Sequence, residues 1–364
     1  MPLTEQASAV DAEIKQISTP AALVEVTRGT IVESRHRGHV AAVDGMGQVV
    51  ACLGDPETIT YLRSSAKPLQ ALPLLTSGAA DRFGLTEKEI AIACASHNGE
   101  PIHTAAALSI LNKIGLKPEA LKCGVHEPYS KSEARNLRAR SEEPNVLHNN
   151  CSGKHAGMLA LALHIGAPTE SYDQLDNPVQ VLIREVLARF SGVPIDQMAI
   201  GIDGCGVPVF GMSVRAMALM YARLAAPPED FDQATRTACQ RIVAAMCTYP
   251  ELIGGTAERL DTEMMRAANG RLISKVGAEG VYTVGVLPCS EWPSGLGLAL
   301  KIEDGENFRA RPAVVIEALR QLGVLSNESL AAVAHYARFP VHNRCGDEVG
   351  EVRAAFELTR ANGV

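Results

Sequence analysis

The sequence predicts an α+β fold in which helices flank an antiparallel sheet. Three observations lead to this prediction: a hairpin pattern near the start of the chain, a helical pattern through the middle, and short apolar runs that return in the last third. Strands at both ends that bracket a helical middle suit one α+β unit. We therefore expect a polar leader over residues 1–18 and a single domain over residues 19–364.

The first strands are predicted close to the start of the chain. The run "ALVEVTRG" has the composition of a strand. The stretch "HVAAVDGMGQVVACLG" then alternates on both sides of Asp44-Gly45-Met46-Gly47. Alternating runs around such a turn are typical of a β-hairpin, so the sheet is expected to start antiparallel.

The later elements follow from the spacing of apolar residues. Three-and-four spacing predicts helices in "PIHTAAALSILNKIG", "KHAGMLALALHIG" and "NPVQVLIREVLARFSG". Short apolar runs predict strands in "QMAIGID", "RLISKVG", "GVYTVGVLP" and "LGLALKIEDG". A polar loop at Ser290-Glu291-Trp292-Pro293 separates the last two runs. We expect these late strands to close the sheet that the hairpin begins.

Composition and charge exclude several classes of protein. The net charge of -7 and the absence of a basic run argue against nucleic-acid binding, which needs clustered Lys and Arg. The start of the chain lacks the features of a signal peptide. The apolar run "VFGMSVRAMALMYARL" is interrupted by Arg215 and is too short to span a bilayer. Nine scattered cysteines indicate reduced thiols. We expect a cytoplasmic protein that does not bind membranes.

A possible nucleophile lies in "TYLRSSAKPLQALPLL", where Ser64 precedes Lys67 by three residues. On a helix this spacing puts the two side chains on one face. A desolvated lysine can lose its proton and act as a base toward a serine. The pair alone is weak, because it also fits an ordinary polar helix start.

Two further motifs strengthen the catalytic interpretation. Ser96 and Asn98 lie in "CASHNGE", and Lys275 lies in "ISKVGAEG". Ser-x-x-Lys, Ser-x-Asn and Lys-x-Gly occur in this order in penicillin-recognising serine enzymes and β-lactamases. The chain departs from that pattern at His97, where the pattern has Asp, and at Val276, where it has Thr. Taken singly, Ser96 also suits a turn and Lys275 a solvated strand.

A cysteine and lysine cluster suggests a metal site. Cys151, Lys154 and His155 lie in "HNNCSGKHAGML", and Asp203 and Cys205 lie in the glycine-rich "GIDGCGVPVFG". Thiolate, imidazole and carboxylate groups all bind metals. The alternative is a helix cap with buried thiols, in which the glycines serve only the turn.

Four segments together resemble the Rhizobium-type, or thermolabile, L-asparaginases: "LRSSAKPLQALPLL", "IACASHNGEPIHT", "NNCSGKHAGMLA" and "GIDGCGVPVF". The resemblance extends over most of the chain from about Leu23. It implies that residues 19–364 form a catalytic asparaginase domain, with a fold similar to serine β-lactamases and glutaminases. The implied activity is hydrolysis of the side-chain amide of L-asparagine to L-aspartate and ammonia.

The resemblance also implies roles for particular residues. It places two Ser-Lys tandems on Ser64 with Lys67 and on Ser96 with Lys275. It implies a zinc ion held by a separate set of ligands, namely Cys151, Lys154 and Cys205. A homodimer is the expected assembly.

The substrate must be gripped by its α-amino and α-carboxylate groups so that its amide meets the nucleophile. Arg63 and Asp203 are the charged candidates beside the motifs, and we add His155 and Asn98 to the predicted substrate-binding set. Such a grip would misplace the longer glutamine, so we expect a preference for asparagine. A penicillin-type serine amidase or peptidase and a non-catalytic zinc-dependent binding protein are the alternatives.

Overall fold

The computed structural model describes residues 19–361, so the predicted leader over residues 1–18 lies outside the described residues. The chain forms two antiparallel sheets and a set of mostly short helices. The strands are β1 (Ala21–Arg28), β2 (Ile31–Asp44), β3 (Val49–Leu53), β4 (Ile59–Tyr61), β5 (Ala199–Ile202), β6 (Pro208–Ser213), β7 (Leu272–Gly277), β8 (Val281–Val286), β9 (Leu296–Ile302), β10 (Arg338–His342), β11 (Glu348–Ala354) and β12 (Thr359–Arg360).

The larger sheet joins strands from both ends of the chain. Its order is β10-β11-β1-β2-β9-β8-β7, and β3 pairs with both β2 and β12. Every pairing is antiparallel. The register sets Val40 opposite Leu300. The prediction that late strands join the sheet begun by the first hairpin is therefore confirmed for β7, β8 and β9, of which β9 pairs with β2 itself.

The predicted hairpin joins β2 to β3. Asp44 accepts hydrogen bonds through Oδ1 from the backbone amides of Met46 at 2.9 Å and Gln48 at 2.8 Å. Its carbonyl also accepts from the amide of Gly47 at 3.0 Å. A short acidic side chain that binds nearby amides stabilises a tight turn locally, which explains why the sequence alone predicts this hairpin.

The helices lie mostly in the middle of the chain, as predicted. They are α1 (Lys67–Gln70), α2 (Leu72–Thr76), α3 (Ala79–Arg82), α4 (Glu87–Ala93), α5 (Pro101–Lys113), α6 (Lys131–Ala139), α7 (Ser152–Ile165), α8 (Pro178–Ser191), α9 (Val214–Ala225), α10 (Gln233–Thr248), α11 (Pro250–Ile253), α12 (Leu260–Ala268), α13 (Ala310–Gln321), α14 (Asn327–Ala332) and α15 (Ala334–Ala337). The three quoted helical runs correspond to α5, α7 and α8.

Helices cover the larger sheet, and the hydrophobic core lies between them. Every residue of β8 is buried, so both of its faces are covered. The helix α9 packs closely on β9, because a Cβ added at Gly297 would lie 1.8 Å from the carbonyl oxygen of Ala218. The helix α13 contacts β1, β9 and β11. This arrangement confirms the predicted α+β class.

Two predictions about strands need correction. The run "QMAIGID" forms β5, but this strand belongs to a separate three-stranded sheet of order β4-β6-β5 and does not close the larger one. The strands β10, β11 and β12 were not predicted, because their runs are short and partly exposed. The smaller sheet matters for function, since β4 and β5 lead directly into predicted site residues.

No helix within residues 19–361 has the length and apolar character needed to cross a membrane.

Candidate active site

Ser64 lies in a tight turn between the smaller sheet and the helical region. The strand β4 ends at Tyr61, and a 3-10 turn covers Arg63–Ala66 before α1 begins at Lys67. Arg63 has φ of 52°, the left-handed conformation that non-glycine residues rarely adopt. Strained residues of this kind cluster at functional sites. Ser64 itself is half-buried, in contrast to the buried Ser65 that follows it.

Lys67 is buried and points at the Ser96 segment. Its Nζ donates to the carbonyl oxygen of Ala95 at 2.7 Å, to Ser96 Oγ at 2.8 Å and to the carbonyl oxygen of Asn150 at 3.2 Å. Among the hydrogen bonds of residues 19–361, none joins Lys67 to Ser64 Oγ. The structure therefore brings Lys67 into contact with the second predicted serine, while Ser64 lies three residues away in the chain.

The surroundings of Lys67 lower its pKa, while the three hydrogen bonds that its Nζ donates are those of the protonated amine. Burial lowers the pKa of Lys67, and the nearby Lys154 lowers it further, whereas the sulfurs of Cys151 and Cys205 act in the opposite direction. A lysine with a lowered pKa can accept a proton from a serine hydroxyl. Lys67 is therefore chemically suited to the role of a base.

Ser96 is held by its backbone as well as by its hydroxyl. The helix α4 ends at Ala93, and the following Ser96 is 4% exposed. Its amide donates to the carbonyl oxygen of Ile253 at 3.0 Å, and its own carbonyl accepts from Arg259 Nη2 at 2.9 Å. Ser96 thus has a fixed position beside Lys67 but little access to solvent.

His97 occupies the position where the penicillin-enzyme pattern has Asp. Its Nδ1 accepts from the amide of Gly99 at 3.1 Å, and its Nε2 lies 3.0 Å from Ser152 Oγ. Burial, together with the neighbouring His103, holds the pKa of His97 well below its usual value. An uncharged ring that accepts at Nδ1 carries its proton on Nε2. His97 therefore tethers the Ser96 segment to the start of α7.

Lys275 lies on β7 and is fully buried. Its Nζ donates to the carbonyl oxygen of Val276 at 3.3 Å. Burial lowers the pKa of Lys275 to about 7, against the opposing effect of Asp261. The strand packs against the Ser64 turn, since a Cβ at Gly277 would come within 2.8 Å of the carbonyl oxygen of Leu62. Lys275 is thus close to the site.

The predicted pairing of Ser96 with Lys275 is not seen as a hydrogen bond. Within residues 19–361, Ser96 Oγ bonds to Lys67, while the Lys275 amine contacts a backbone carbonyl. The second tandem therefore stays a prediction.

Arg63 and Asp203 form an ion pair beside Ser64. Arg63 Nε and Nη2 lie 3.0 Å and 2.9 Å from Asp203 Oδ1. Asp203 follows β5 directly and also accepts from the amide of Gly204 at 2.7 Å. Burial alone would raise the pKa of Asp203, but Lys154 and Arg63 lower it overall, so the carboxylate is charged. One cation and one anion thus lie together at the predicted substrate position.

The three predicted zinc ligands converge at the start of α7. Cys151, Lys154 and Cys205 are all buried, and Lys154 Nζ lies 3.0 Å from Cys205 Sγ. A hydrogen bond from Cys205 lowers the pKa of Cys151 well below its usual value, and the same bond raises the pKa of Cys205. Burial opposes charge on Lys154, yet the two sulfurs raise its pKa overall.

Two of these three donors suit zinc directly, whereas Lys154 could bind it only after the metal has displaced the proton that its raised pKa retains. Two sulfurs are preferred zinc ligands, and a cation between them would replace the proton that they share. His155 Nε2 is buried and has no hydrogen-bond partner among the described residues, so a further polar atom is available nearby. Within residues 19–361 no group of three or more His, Cys, Asp or Glu side chains is arranged to hold a metal. The proposed set depends on lysine as its third donor.

A hydrogen bond with Tyr172 sets the orientation of the His155 ring. Its Nδ1 lies 2.7 Å from the hydroxyl of Tyr172, which accepts from the amide of Lys122 at 2.8 Å. Burial, with a smaller effect of Lys154, lowers the pKa of His155 to about 4. The imidazole is therefore neutral, and its position beside Lys154 is fixed by Tyr172.

Sequence reasoning missed two groups that contact the predicted residues. The carbonyl of Asn150 accepts from Lys67, and Arg259 contacts both Ser96 and Asn98. Asn150 belongs to the quoted "NNCSGKH", but a backbone acceptor leaves no signal in the residue type. Arg259 lies far along the chain and has no motif around it, so only the fold reveals its contacts.

Comparison with known proteins identifies the family. A sequence model described as L-asparaginase II matches residues 24–354. This match includes all eleven predicted site residues, which lie between Arg63 and Lys275. The chain belongs to the L-asparaginase II family, and it is an amidohydrolase. A comparison with curated proteins gives no match.

Solved structures that resemble the chain include glutaminases. A probable glutaminase from Bacillus subtilis, complexed with 6-diazo-5-oxo-L-norleucine, is 13% identical, with a TM-score of 0.39 over 79% of this chain and 85% of that chain. A Bacillus glutaminase in 4.3 M NaCl is 14% identical, with a TM-score of 0.34 over 88% of this chain and 97% of that chain. These scores describe a distant likeness.

Proposed function

We propose that the protein is an L-asparaginase that hydrolyses the side-chain amide of L-asparagine to L-aspartate and ammonia. The observation that supports this proposal is that Ser64 lies in the turn between two residues whose side chains contact other predicted site residues. Arg63 before it pairs with Asp203, and the buried Lys67 after it bonds to Ser96. Lys67 and Ser96 can transfer protons, and Arg63 and Asp203 carry the charges needed to bind the α-groups of an amino acid.

Ser64 is the proposed nucleophile. Ser96 is 4% exposed and is bonded through its amide, carbonyl and hydroxyl, whereas Ser64 is half-buried and lies beside the charged pair. A nucleophile must reach the substrate carbon, while a group that only passes protons can stay buried. Exposure therefore favours Ser64 for attack and Ser96 for proton transfer.

The reaction follows the usual course of covalent catalysis by a serine. Ser64 Oγ attacks the amide carbon of the substrate side chain while its proton passes to Lys67. The carbon–nitrogen bond then breaks, and the nitrogen leaves as ammonia after it receives that proton. Water next attacks the ester on Ser64, releases aspartate and restores the hydroxyl. Ser96 and Lys275 extend the proton path from Lys67.

The charged pair supplies the grip on the α-groups of the substrate. The guanidinium of Arg63 matches the α-carboxylate, and the carboxylate of Asp203 matches the α-ammonium. Bound substrate would replace the contact between Arg63 and Asp203, because its α-carboxylate would bind Arg63 and its α-ammonium would bind Asp203. Asn98 and His155 are assigned supporting roles at this site. The Asn98 Oδ1 accepts from Arg259 at 2.5 Å and its Nδ2 donates to Glu100 Oε1 at 3.4 Å, so the second N–H of Nδ2 is the donor left for the substrate.

Zinc at Cys151, Lys154 and Cys205 is the proposed cofactor. The proposal is supported by the burial of all three side chains and by the contact between Lys154 and Cys205. When bound, the ion would fix the geometry of these side chains and lend positive charge to the pocket next to Asp203. The nucleophile and the base are supplied by Ser64 and Lys67, so no proton transfer depends on the metal.

The remaining features of the proposal concern the whole protein. We propose one catalytic domain over residues 19–364, a homodimer and a cytoplasmic location. The family match decides against a non-catalytic zinc-binding protein. A penicillin-type amidase or peptidase would need a site for a larger acyl donor, whereas the Arg63–Asp203 pair offers charges suited to a free amino acid.

Ammonia release from asparagine and from glutamine, with and without a chelator, tests the proposal. We expect hydrolysis of asparagine, with kcat/KM for glutamine lower by about 10–100-fold because one extra methylene misplaces the amide. Equal turnover of the two amides would contradict the proposed selectivity. Hydrolysis of penicillin or a peptide, in the absence of ammonia release from asparagine, would favour the rival amidase.

A further inference from the structure

Two segments that are distant in the chain are tied together beside Ser96. The loop from Ile253 to Arg259 runs along residues 96–100. The amide of Thr256 donates to both carboxylate oxygens of Glu100 at 3.3 Å. A Cβ added at Gly255 would lie 2.2 Å from Asn98 Nδ2, so the contact depends on glycine there.

Arg259 makes most of the side-chain contacts between these segments. Its Nη1 donates to Asn98 Oδ1 at 2.5 Å and to the carbonyl oxygen of Gly254 at 3.2 Å. Its Nη2 donates to the carbonyl oxygen of Ser96 at 2.9 Å. The side chain is 18% exposed, so these bonds are largely shielded from water. One guanidinium therefore joins three points around Ser96.

Asp261 fixes the guanidinium itself. It is 1% exposed, and its Oδ2 lies 3.3 Å from Arg259 Nη2. A buried carboxylate opposite a guanidinium restricts its rotation, and the planar fork lets each terminal nitrogen serve two acceptors. A lysine at this position would supply a single point donor. The arrangement thus depends on the shape of arginine as well as on its charge.

The backbone and the hydroxyl of Ser96 are consequently all held by hydrogen bonds. Its amide is bonded to Ile253, its carbonyl to Arg259 and its hydroxyl to Lys67. Loss of the Arg259 bond frees one end of this segment, and the hydroxyl can then move relative to the lysine amine. A displacement of about 1 Å in a catalytic group can cost about 10²-fold in rate.

We propose that Arg259, held by Asp261, is a positioning residue that fixes Ser96 against Lys67 for the proton path. In the contacts described above it touches neither Ser64 nor the Arg63–Asp203 pair, and its one bond to the predicted substrate-binding set is to Asn98 Oδ1. Its effect should therefore fall on the chemical step and should pass through Ser96. The proposal rests on the proposed function for its kinetic consequence, but not for its structural one.

Hydrogen exchange tests the structural consequence in the full-length protein. Backbone amides of residues 94–100 should exchange at least about tenfold faster in Arg259→Gln than in the parent, because local opening becomes easier. Arg266→Gln is the matched control, since Arg266 lies on α12, which follows Arg259, and pairs with the partly exposed Glu251 of α11 at 3.2 Å. Unchanged exchange in Arg259→Gln would overturn the proposal.

Kinetics test whether the effect passes through Ser96. We expect Arg259→Gln to lower kcat by about 10–100-fold with KM within about threefold of the parent. In a Ser96→Ala background the same replacement should change kcat by less than about threefold, because the two residues act as one unit. Arg259→Lys should resemble Arg259→Gln more than the parent. Equal losses in both backgrounds would show that Arg259 does not act through Ser96.

The two measurements separate failure of this proposal from failure of the proposed function. If the parent does not hydrolyse asparagine, the proposed function is wrong, and hydrogen exchange alone decides whether Arg259 fixes the segment. If asparagine is hydrolysed and the exchange is unchanged, only the role of Arg259 is wrong.

Discussion

Lys67 Nζ lies 2.8 Å from Ser96 Oγ, although the two residues are 29 positions apart in the chain. This contact links the turn that carries Ser64 to the segment that follows α4. It gives Lys67 two serine neighbours, one close in sequence and one brought near by the fold. The predictions below test what each of these groups contributes.

Replacement of Ser96 by Ala should slow turnover without preventing binding. Ser96 is buried and contacts Lys67, so its loss interrupts the proton path while the Arg63–Asp203 pair is unchanged. We expect kcat to fall by about 10²–10³-fold, the range typical of a lost general acid–base group, with KM little changed. Steady-state ammonia release measures both constants. Ser132→Ala at an exposed position is the control, and parental kcat in Ser96→Ala would refute the proton path.

The pH dependence of kcat/KM should report a buried lysine. Burial lowers the pKa of Lys275 to about 7, and a base must be unprotonated to act. The neutral fraction of Lys275 therefore grows as pH rises through about 7, and kcat/KM should rise with it. Lys275→Met should be slow at all pH values and should lack this limb of the profile. An identical limb in Lys275→Met would assign the titration to another group.

Asp203→Asn should weaken binding of the substrate. The replacement removes the carboxylate proposed to bind the α-ammonium and leaves Arg63 only the longer contact with Glu279 at 3.9 Å. We expect KM to rise by about 10–100-fold, equivalent to about 1.4–2.7 kcal/mol. Asp173→Asn is a matched control, because Asp173 pairs with Lys122 at 3.0 Å with similar burial. An unchanged KM in Asp203→Asn would remove Asp203 from the substrate site.

Zinc should be lost with one of its thiols. We expect about one zinc ion per chain in gently purified protein and a strongly reduced content in Cys205→Ser, since two thiolates supply most of the affinity. Elemental analysis measures this directly. Cys239→Ser is the control, because Cys239 is also buried, on α10, and its charged neighbours are Arg189 and Asp232 rather than a predicted zinc ligand. Parental protein that contains no zinc would eliminate the site.

The metal is also expected to act on binding more than on chemistry. Chelation or Cys205→Ser should raise KM for asparagine more than it lowers kcat, because the ion would shape the pocket next to Asp203. A fall in kcat with unchanged KM would instead indicate that the metal takes part in the chemical step.

The sequence predicts those parts of the fold that local residues decide. The hairpin at Asp44 is predicted because its own side chain binds the turn amides. The helix α8 is predicted because its buried apolar residues Val179, Ile183 and Leu187 recur four positions apart. The strand β5 was assigned to the wrong sheet, since its partner β6 is chosen by packing that no local pattern records.

In the candidate site, too, local motifs could be predicted, whereas contacts between distant segments could not. Motifs predicted which residues gather there, and the structure places Lys67 with Ser96 and Lys154 with Cys205. Helical spacing suggested that Lys67 would face Ser64, but the long side chain reaches the Ser96 segment instead. The contact of Arg259 with that segment joins residues more than 160 positions apart and carries no motif.

Covalent labelling tests most directly whether Ser64 is the nucleophile. A diazoketone analogue of asparagine would be incubated with the parent, Ser64→Ala and Ser96→Ala, followed by intact mass measurement and peptide mapping. We expect one label per chain on the peptide that contains Ser64, slower labelling of that same peptide in Ser96→Ala, and none in Ser64→Ala. A label on Ser96, or full labelling of Ser64→Ala, would contradict the proposed mechanism.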